Sequence, residues 1–118
     1  PQHFVRLREA APDAKIILAH MGAYRLWHQA ANLYKGLGFY ADTSYSIDVH
    51  PEEQDILAEL IRILGADHVM FGTDSPWACQ TESLKATKAF LSKYGFSDKE
   101  CSDILGSNAA RILDLKQD

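Results

Sequence analysis

The chain reads as an α/β domain built on parallel strands. Three observations carry that prediction. Short apolar runs recur at residues 15–20, 39–44 and 68–74. Segments with apolar residues at helical spacing lie between them, giving the order α-β-α-β-α-β-α-α. Strands that alternate with helices pair in parallel through right-handed crossovers. Each run also ends in polar residues: His20, then Asp42-Thr43-Ser44, then Thr73-Asp74-Ser75. Parallel strands place these ends on one edge, where chemistry gathers in such folds.

Residues 1–11 predict a helix with Phe4, Val5, Leu7 and Ala11 on one face, ended by Pro12-Asp13. The run at 15–20 is continuous rather than alternating, so it predicts a strand buried on both faces and ending at His20. Residues 23–35 return to helical spacing through Leu26, Trp27, Ala30, Ala31, Leu33 and Tyr34, with Gly36 as the C′ residue. Residues 39–44 form the second strand, and 45–50 a loop. Pro51-Glu52-Glu53 starts the next helix, since proline suits N1 and acids favour the positive end of the dipole. Ile56, Leu57, Leu60, Ile61 and Leu64 form its buried stripe, and Gly65 stops it.

The third strand is predicted over 68–74, because Pro76 has no ladder donor. A helix follows at 81–93, carrying Leu84, Ala89, Phe90 and Leu91. Ser97 and Glu100 form a capping box for the next. Gly106-Ser107-Asn108 separates it from a last helix carrying Ala109, Ala110, Ile112 and Leu113, and residues 116–118 are expected to fray.

With 118 residues, 47% hydrophobic and 24% charged, the composition suits one globular domain with one core. Lys and Arg number 12 against 16 acids, a net charge of −4, so no basic footprint for nucleic acid or an anionic membrane is present. No apolar run approaches a membrane span. Cys79 and Cys101 show no paired spacing and are expected to be free thiols in a cytoplasmic protein. The first residue is proline, so either an initiator methionine was removed or the sequence is part of something longer.

Asp74 is the first candidate for chemistry and His20 the second. Two strands apart, their backbones lie roughly 10 Å from one another. Imidazole and carboxylate both suit zinc or a similar divalent metal, although a catalytic zinc takes three protein ligands. Asp42, Thr43 and Ser44 can hydrogen-bond in the same cleft, or serve only as turn chemistry. Trp27 belongs to the core, and Trp77 is a candidate wall of the pocket. His3, His28, His50 and His68 read as surface, boundary or cap positions. No GxGxxG, GxxxxGK[ST] or GxSxG motif is present, which removes support for nucleotide binding and for a serine hydrolase.

The segments KIILAHMG, FYADTS, HVMFGTDSPW and ILGSNAARIL resemble the amidohydrolase-related family, metal-dependent hydrolases and decarboxylases that include aminocarboxymuconate-semialdehyde decarboxylase. The resemblance covers nearly the whole chain and implies a partial (β/α)8 TIM barrel, its last three parallel strands with flanking helices. It implies that Asp74 is a metal ligand that also handles the proton of a metal-bound water. His20 then polarises the substrate or orients the water, or ligates a second metal. The family's first-strand His-x-His pair is absent, because no such pattern occurs in these residues, and so is its fifth-strand histidine. The chain by itself is therefore expected to be inactive.

The resemblance implies part of a metal-dependent hydrolase or decarboxylase with a divalent metal, zinc first. Its substrate would be a small carboxylic acid, amide or ester. The alternative is a non-catalytic α/β assembly or binding module derived from such a barrel. Small-molecule substrate is the expected partner, with no nucleic acid and no membrane. Three strands leave two open edges, through which an isolated chain would self-associate.

Overall fold

The computed structural model describes residues 1–116; Gln117 and Asp118, part of the tail expected to fray, lie outside the described residues. The elements run α1 (Gln2–Ala10), β1 (Ile17–Leu18), α2 (Trp27–Leu33), β2 (Tyr40–Asp42), α3 (Gln54–Leu64), β3 (Val69–Met70), α4 (Gln80–Lys93), α5 (Asp98–Ser102) and α6 (Asn108–Ile112). The strands form one sheet in the order β1-β2-β3, and both pairings are parallel. Leu18 stands opposite Ala41, and Asp42 opposite Met70. The predicted α/β class with three parallel strands and flanking helices is the observed one.

The core lies where α2, α3 and α4 meet the sheet. Trp27, Tyr34, Phe39, Leu57, Leu60, Ile61, Phe90, Leu91 and Ile104 are fully buried there. Helix α3 follows its sequence pattern closely. Pro51 opens a tight turn that runs into it, four of the five predicted stripe residues are buried, and Gly65 ends it at φ 97°. Each such apolar side chain contributes about 1.5–3 kcal/mol on burial. The capping box is also as read: Ser97 Oγ accepts from Glu100 N at 3.1 Å, and Ser97 N donates to Glu100 Oε2 at 2.7 Å.

Several expectations are corrected. The strands are shorter than the apolar runs. β1 stops at Leu18, so His20 lies in the turn beyond it, and Ile17 is 41% exposed rather than buried on both sides. Ile17 sits on an outer strand, with a partner on one side only. β3 stops at Met70, because the next amide, Phe71 N, donates to Ile104 O at 2.8 Å instead of to a strand. Residues 23–26 are not helical, and Leu26 is 46% exposed. Helix α1 buries none of its residues. Gly36 does turn left-handed, at φ 76°, but one residue past the C′ position after Tyr34.

Helix α4 turns Ser83 and Thr87 inward beside Phe90 and Leu91 and leaves Ala89 exposed. One reason is a tie from Ser83 Oγ to Asp48 Oδ2, which pulls this face toward the loop after β2. Gly106-Ser107-Asn108 is no break: a π turn over Asp103–Ser107 joins α5 to α6. Asn108, 2% exposed, donates through Nδ2 to Ala66 O at 2.7 Å and Val69 O at 2.9 Å. That pair of bonds pins α6 to the start of β3. Among the described residues no helix is long and apolar enough to cross a membrane.

Candidate active site

The three loops that leave β1, β2 and β3 gather on one edge of the sheet, as the parallel pairing requires. Six non-glycine residues have positive φ among the described residues, and five sit in these loops. His20 (53°), Met21 (54°) and Arg25 (61°) follow β1, Tyr45 (47°) follows β2, and Asp74 (61°) follows β3. A left-handed L-residue costs about 1–2 kcal/mol. Such cost concentrates where function fixes geometry.

His20 is half-buried and held through its amide, its carbonyl and Nδ1. Its amide donates to Asp42 Oδ1 at 3.1 Å, and its carbonyl accepts from Trp27 Nε1 at 2.9 Å. Its Nδ1 lies 3.0 Å from the Ser44 carbonyl and 3.0 Å from Ser44 Oγ. A carbonyl only accepts, so Nδ1 carries the hydrogen. The neutral ring therefore keeps its lone pair on Nε2, the arrangement that prepares an imidazole for a metal or a substrate proton. Ser44 in turn donates to Asp42 Oδ1 at 2.5 Å, and the Ser44 amide reaches the same oxygen at 3.0 Å. One carboxylate oxygen thus organises His20 and Ser44 together.

Thr43 joins the second loop to the third. Its Oγ1 accepts from Gly72 N at 3.2 Å and lies 3.3 Å from Gly72 O, and its amide donates to Met70 O at 2.9 Å. A Cβ placed on Gly72 would sit 3.5 Å from the Cβ atoms of both Asp42 and Ser44. The exit of β3 therefore passes directly over the network that holds His20.

Asp74 lies two residues further on, exposed, with its carbonyl accepting from Trp77 N at 2.9 Å. Among the described residues no hydrogen bond or ion pair joins its carboxylate to His20. Trp77, the expected wall of the pocket, is 78% exposed. A cavity of about 510 Å³ does lie beside this loop, lined by Phe71, Gly72, Thr73, Gln80, Thr81 and Leu84.

His50 takes the cap position before the Pro51–Glu53 turn, one of the places expected for it, but at 8% exposed it is no surface residue. Its Nε2 lies 2.7 Å from Tyr24 Oη, and its Nδ1 lies 3.1 Å from Glu52 Oε1 and 3.3 Å from Arg25 Nη1. Backbone hydrogen bonding at Glu52, then the His50 imidazole and the Arg25 guanidinium, hold the Glu52 carboxyl below its ordinary value. Of the other histidines, His3 and His28 are exposed as expected, and His68 is half-buried and stacked on Tyr40 at 4.4 Å. Cys79 and Cys101 are free thiols.

A metal ion needs more than these residues give. Among the described residues no group of three or more His, Cys, Asp or Glu side chains is placed to hold one. The donors present do not by themselves fit a catalytic divalent ion.

The amidohydrolase family model matches residues 1–115, and the chain belongs to that family. Its three parallel strands and flanking helices match part of the barrel of solved relatives. A dihydroxybenzoic acid decarboxylase from Polaromonas sp. JS666, solved with manganese and the inhibitor 2-nitroresorcinol, is 22% identical with a TM-score of 0.66. The match covers 95% of this chain and 37% of that one. A 5-carboxyvanillate decarboxylase from Sphingomonas paucimobilis is 24% identical, with a TM-score of 0.62, over 93% of this chain and 36% of the other. A 2,6-dihydroxybenzoate decarboxylase from Rhizobium is 23% identical, with a TM-score of 0.61, over 92% and 37%. The chain therefore spans little more than a third of the length of these structures, and at these identities the likeness is one of fold. No curated protein sequence matches it.

Proposed function

We propose that this chain forms part of a metal-dependent enzyme that acts on a small carboxylic acid, with loss of CO2 as its reaction. The observation that carries this reading is the left-handed pair His20 and Asp74 at the strand ends, with His20 Nε2 left free by its Nδ1 bonds to Ser44. The amidohydrolase family supports metal-dependent chemistry. The decarboxylase neighbours, one of them holding manganese, favour decarboxylation over the broader class of amide or ester hydrolysis. Manganese thereby stands beside zinc as the divalent metal.

Asp74 is assigned as one ligand of that ion, whose other ligands come from outside these residues. When bound, such an ion polarises an oxygen and makes bound water more acidic. His20 is assigned to the substrate, its Nε2 positioned to exchange a proton or polarise an oxygen of the acid. Partners beyond the small acid form no part of the proposal.

The test uses the polypeptide that carries this sequence in its source cells, with 2,6-dihydroxybenzoate as first substrate and CO2 release as readout. Asp74→Asn is expected to lower turnover by a factor on the order of 100 or more with the circular dichroism unchanged. Wild-type turnover in a folded Asp74→Asn protein removes Asp74 from the site.

A further inference from the structure

A second cluster stands beside His20, and the functional assignment above leaves it unused. Tyr24 comes four residues after His20, and its ring packs edge-on against His20 at 5.8 Å. The same ring meets Trp27 edge-on at 6.0 Å and His50 at 5.3 Å, and lies tilted to Tyr45 at 5.9 Å. Tyr24 nevertheless remains 43% exposed. A tyrosine that merely decorates a surface has no need of four ring partners and a buried imidazole on its hydroxyl. The residue after it, Arg25, is left-handed at 61°, and Tyr45 is left-handed at 47°, so the backbone accepts strain on both sides of this contact.

The His50 hydrogens set what Tyr24 can offer. Nδ1 faces two groups with opposite demands: the Arg25 guanidinium only donates, and the Glu52 carboxylate only accepts. With Nδ1 bonded to Glu52 as N–H, a neutral ring accepts the Tyr24 hydroxyl hydrogen at Nε2. With Nδ1 accepting from Arg25, Nε2 carries the hydrogen and donates to Tyr24 Oη. The Glu52 contact is the shorter, so the first arrangement holds without ligand; an anion beside Tyr24 selects the second, in which the phenolic hydrogen turns to the ligand. A phenol 2.7 Å from a buried imidazole and edge-on to His20 is suited to donate to an oxygen of an anion held at that edge. The surrounding aromatic rings suit a flat acid.

We propose that Tyr24 is a substrate-contacting residue, its hydroxyl donating to an oxygen of the bound acid beside His20, and that His50 is the positioning residue that fixes it. This rests on the functional reading given above, which names a small carboxylic acid as ligand. Nothing in the sequence pattern marks either residue; their juxtaposition is a product of the loops after β1 and β2.

Calorimetric binding of 2,6-dihydroxybenzoate to the full polypeptide tests it, with steady-state kinetics, metal content and circular dichroism alongside. Tyr24→Phe is expected to weaken Kd and raise KM by about tenfold, the loss of one charge-assisted hydrogen bond, while kcat falls by less than KM rises. His50→Leu is expected to show the same pattern, and His50→Gln, which keeps an amide near the Nε2 position, to restore most of the affinity. If His50→Leu fails to fold, Tyr24→Phe decides alone. Wild-type affinity in Tyr24→Phe overturns the proposal and leaves the functional reading standing. Failure of the wild-type protein to bind the acid overturns that reading, and this proposal with it.

Discussion

His20 is fixed by four hydrogen bonds from three residues: Asp42 and Trp27 grip its backbone, and Ser44 grips its ring twice. Removing a partner of this kind usually costs 10–100-fold in activity or metal affinity, because the ring loses its orientation and its tautomer. Ser44→Ala leaves the Ser44 carbonyl in place, so it is expected to lower kcat by about tenfold without unfolding the protein. Steady-state kinetics beside a urea melt check this; an unchanged kcat removes Ser44 from the positioning of His20. His20, Asp42 and Ser44 were all legible as the polar ends of apolar runs. Tyr24 and His50 were not. His50 before Pro51 is a cap, as its place suggests, but besides Glu52 its partners Tyr24 and Arg25 lie 26 and 25 residues away on another loop. Local pattern has no access to that distance.

Among the elements, those defined by local rules were read most accurately. Helix α3 has a strong apolar stripe, a proline at its start and a glycine at its end, and the α5 capping box needs only residues 97–100. The strands fall short of their apolar runs, because a strand continues only where a neighbour supplies its ladder. Phe71 finds Ile104 instead, and β3 stops.

The turn after β1 depends on a glycine. Gly22 has φ 89°, and a Cβ there would lie 2.8 Å from the Tyr34 ring, whose hydroxyl donates to Gly22 O at 2.7 Å. Burial pushes the Tyr34 pKa from 10.0 up to about 12. Its folded pKa lies above its unfolded one, so its contribution is complete below about pH 10 and is lost as pH rises from about 10 to 12. Urea midpoints are expected to stay level in this respect up to pH 9 and to fall above pH 10. Tyr94 and Lys99, whose pKa values are also raised by their bonds to Asp55 and Asp103, add to the alkaline slope. Tyr34→Phe should flatten part of that slope while costing about 1–3 kcal/mol at neutral pH, because the Gly22 carbonyl loses its donor. An alkaline slope identical to wild type contradicts the assignment.

At the scale of the molecule, the outer faces of the sheet and helices carry exposed apolar side chains: Phe4 and Leu7 on α1, Ile17 on β1, Leu26, and Trp77 after β3. The chain belongs to the amidohydrolase family yet spans only 37% of the first structural neighbour. Sequence reading recovered the parallel order and the edge where His20 and Asp74 sit. What the sequence left unread is the packing of the loops on one another, through Thr43 against Gly72 and Tyr24 against His50. Asp74, exposed and left-handed, is the residue on which the functional reading turns.

The most direct test is the manganese and zinc content, with the affinity for each, of the polypeptide that carries this sequence, wild type against Asp74→Asn. If Asp74 is a ligand, the wild-type protein retains a divalent ion through purification, and Asp74→Asn binds it at least about tenfold more weakly with the fold intact. Equal metal content and equal affinity in the two proteins contradict the assignment.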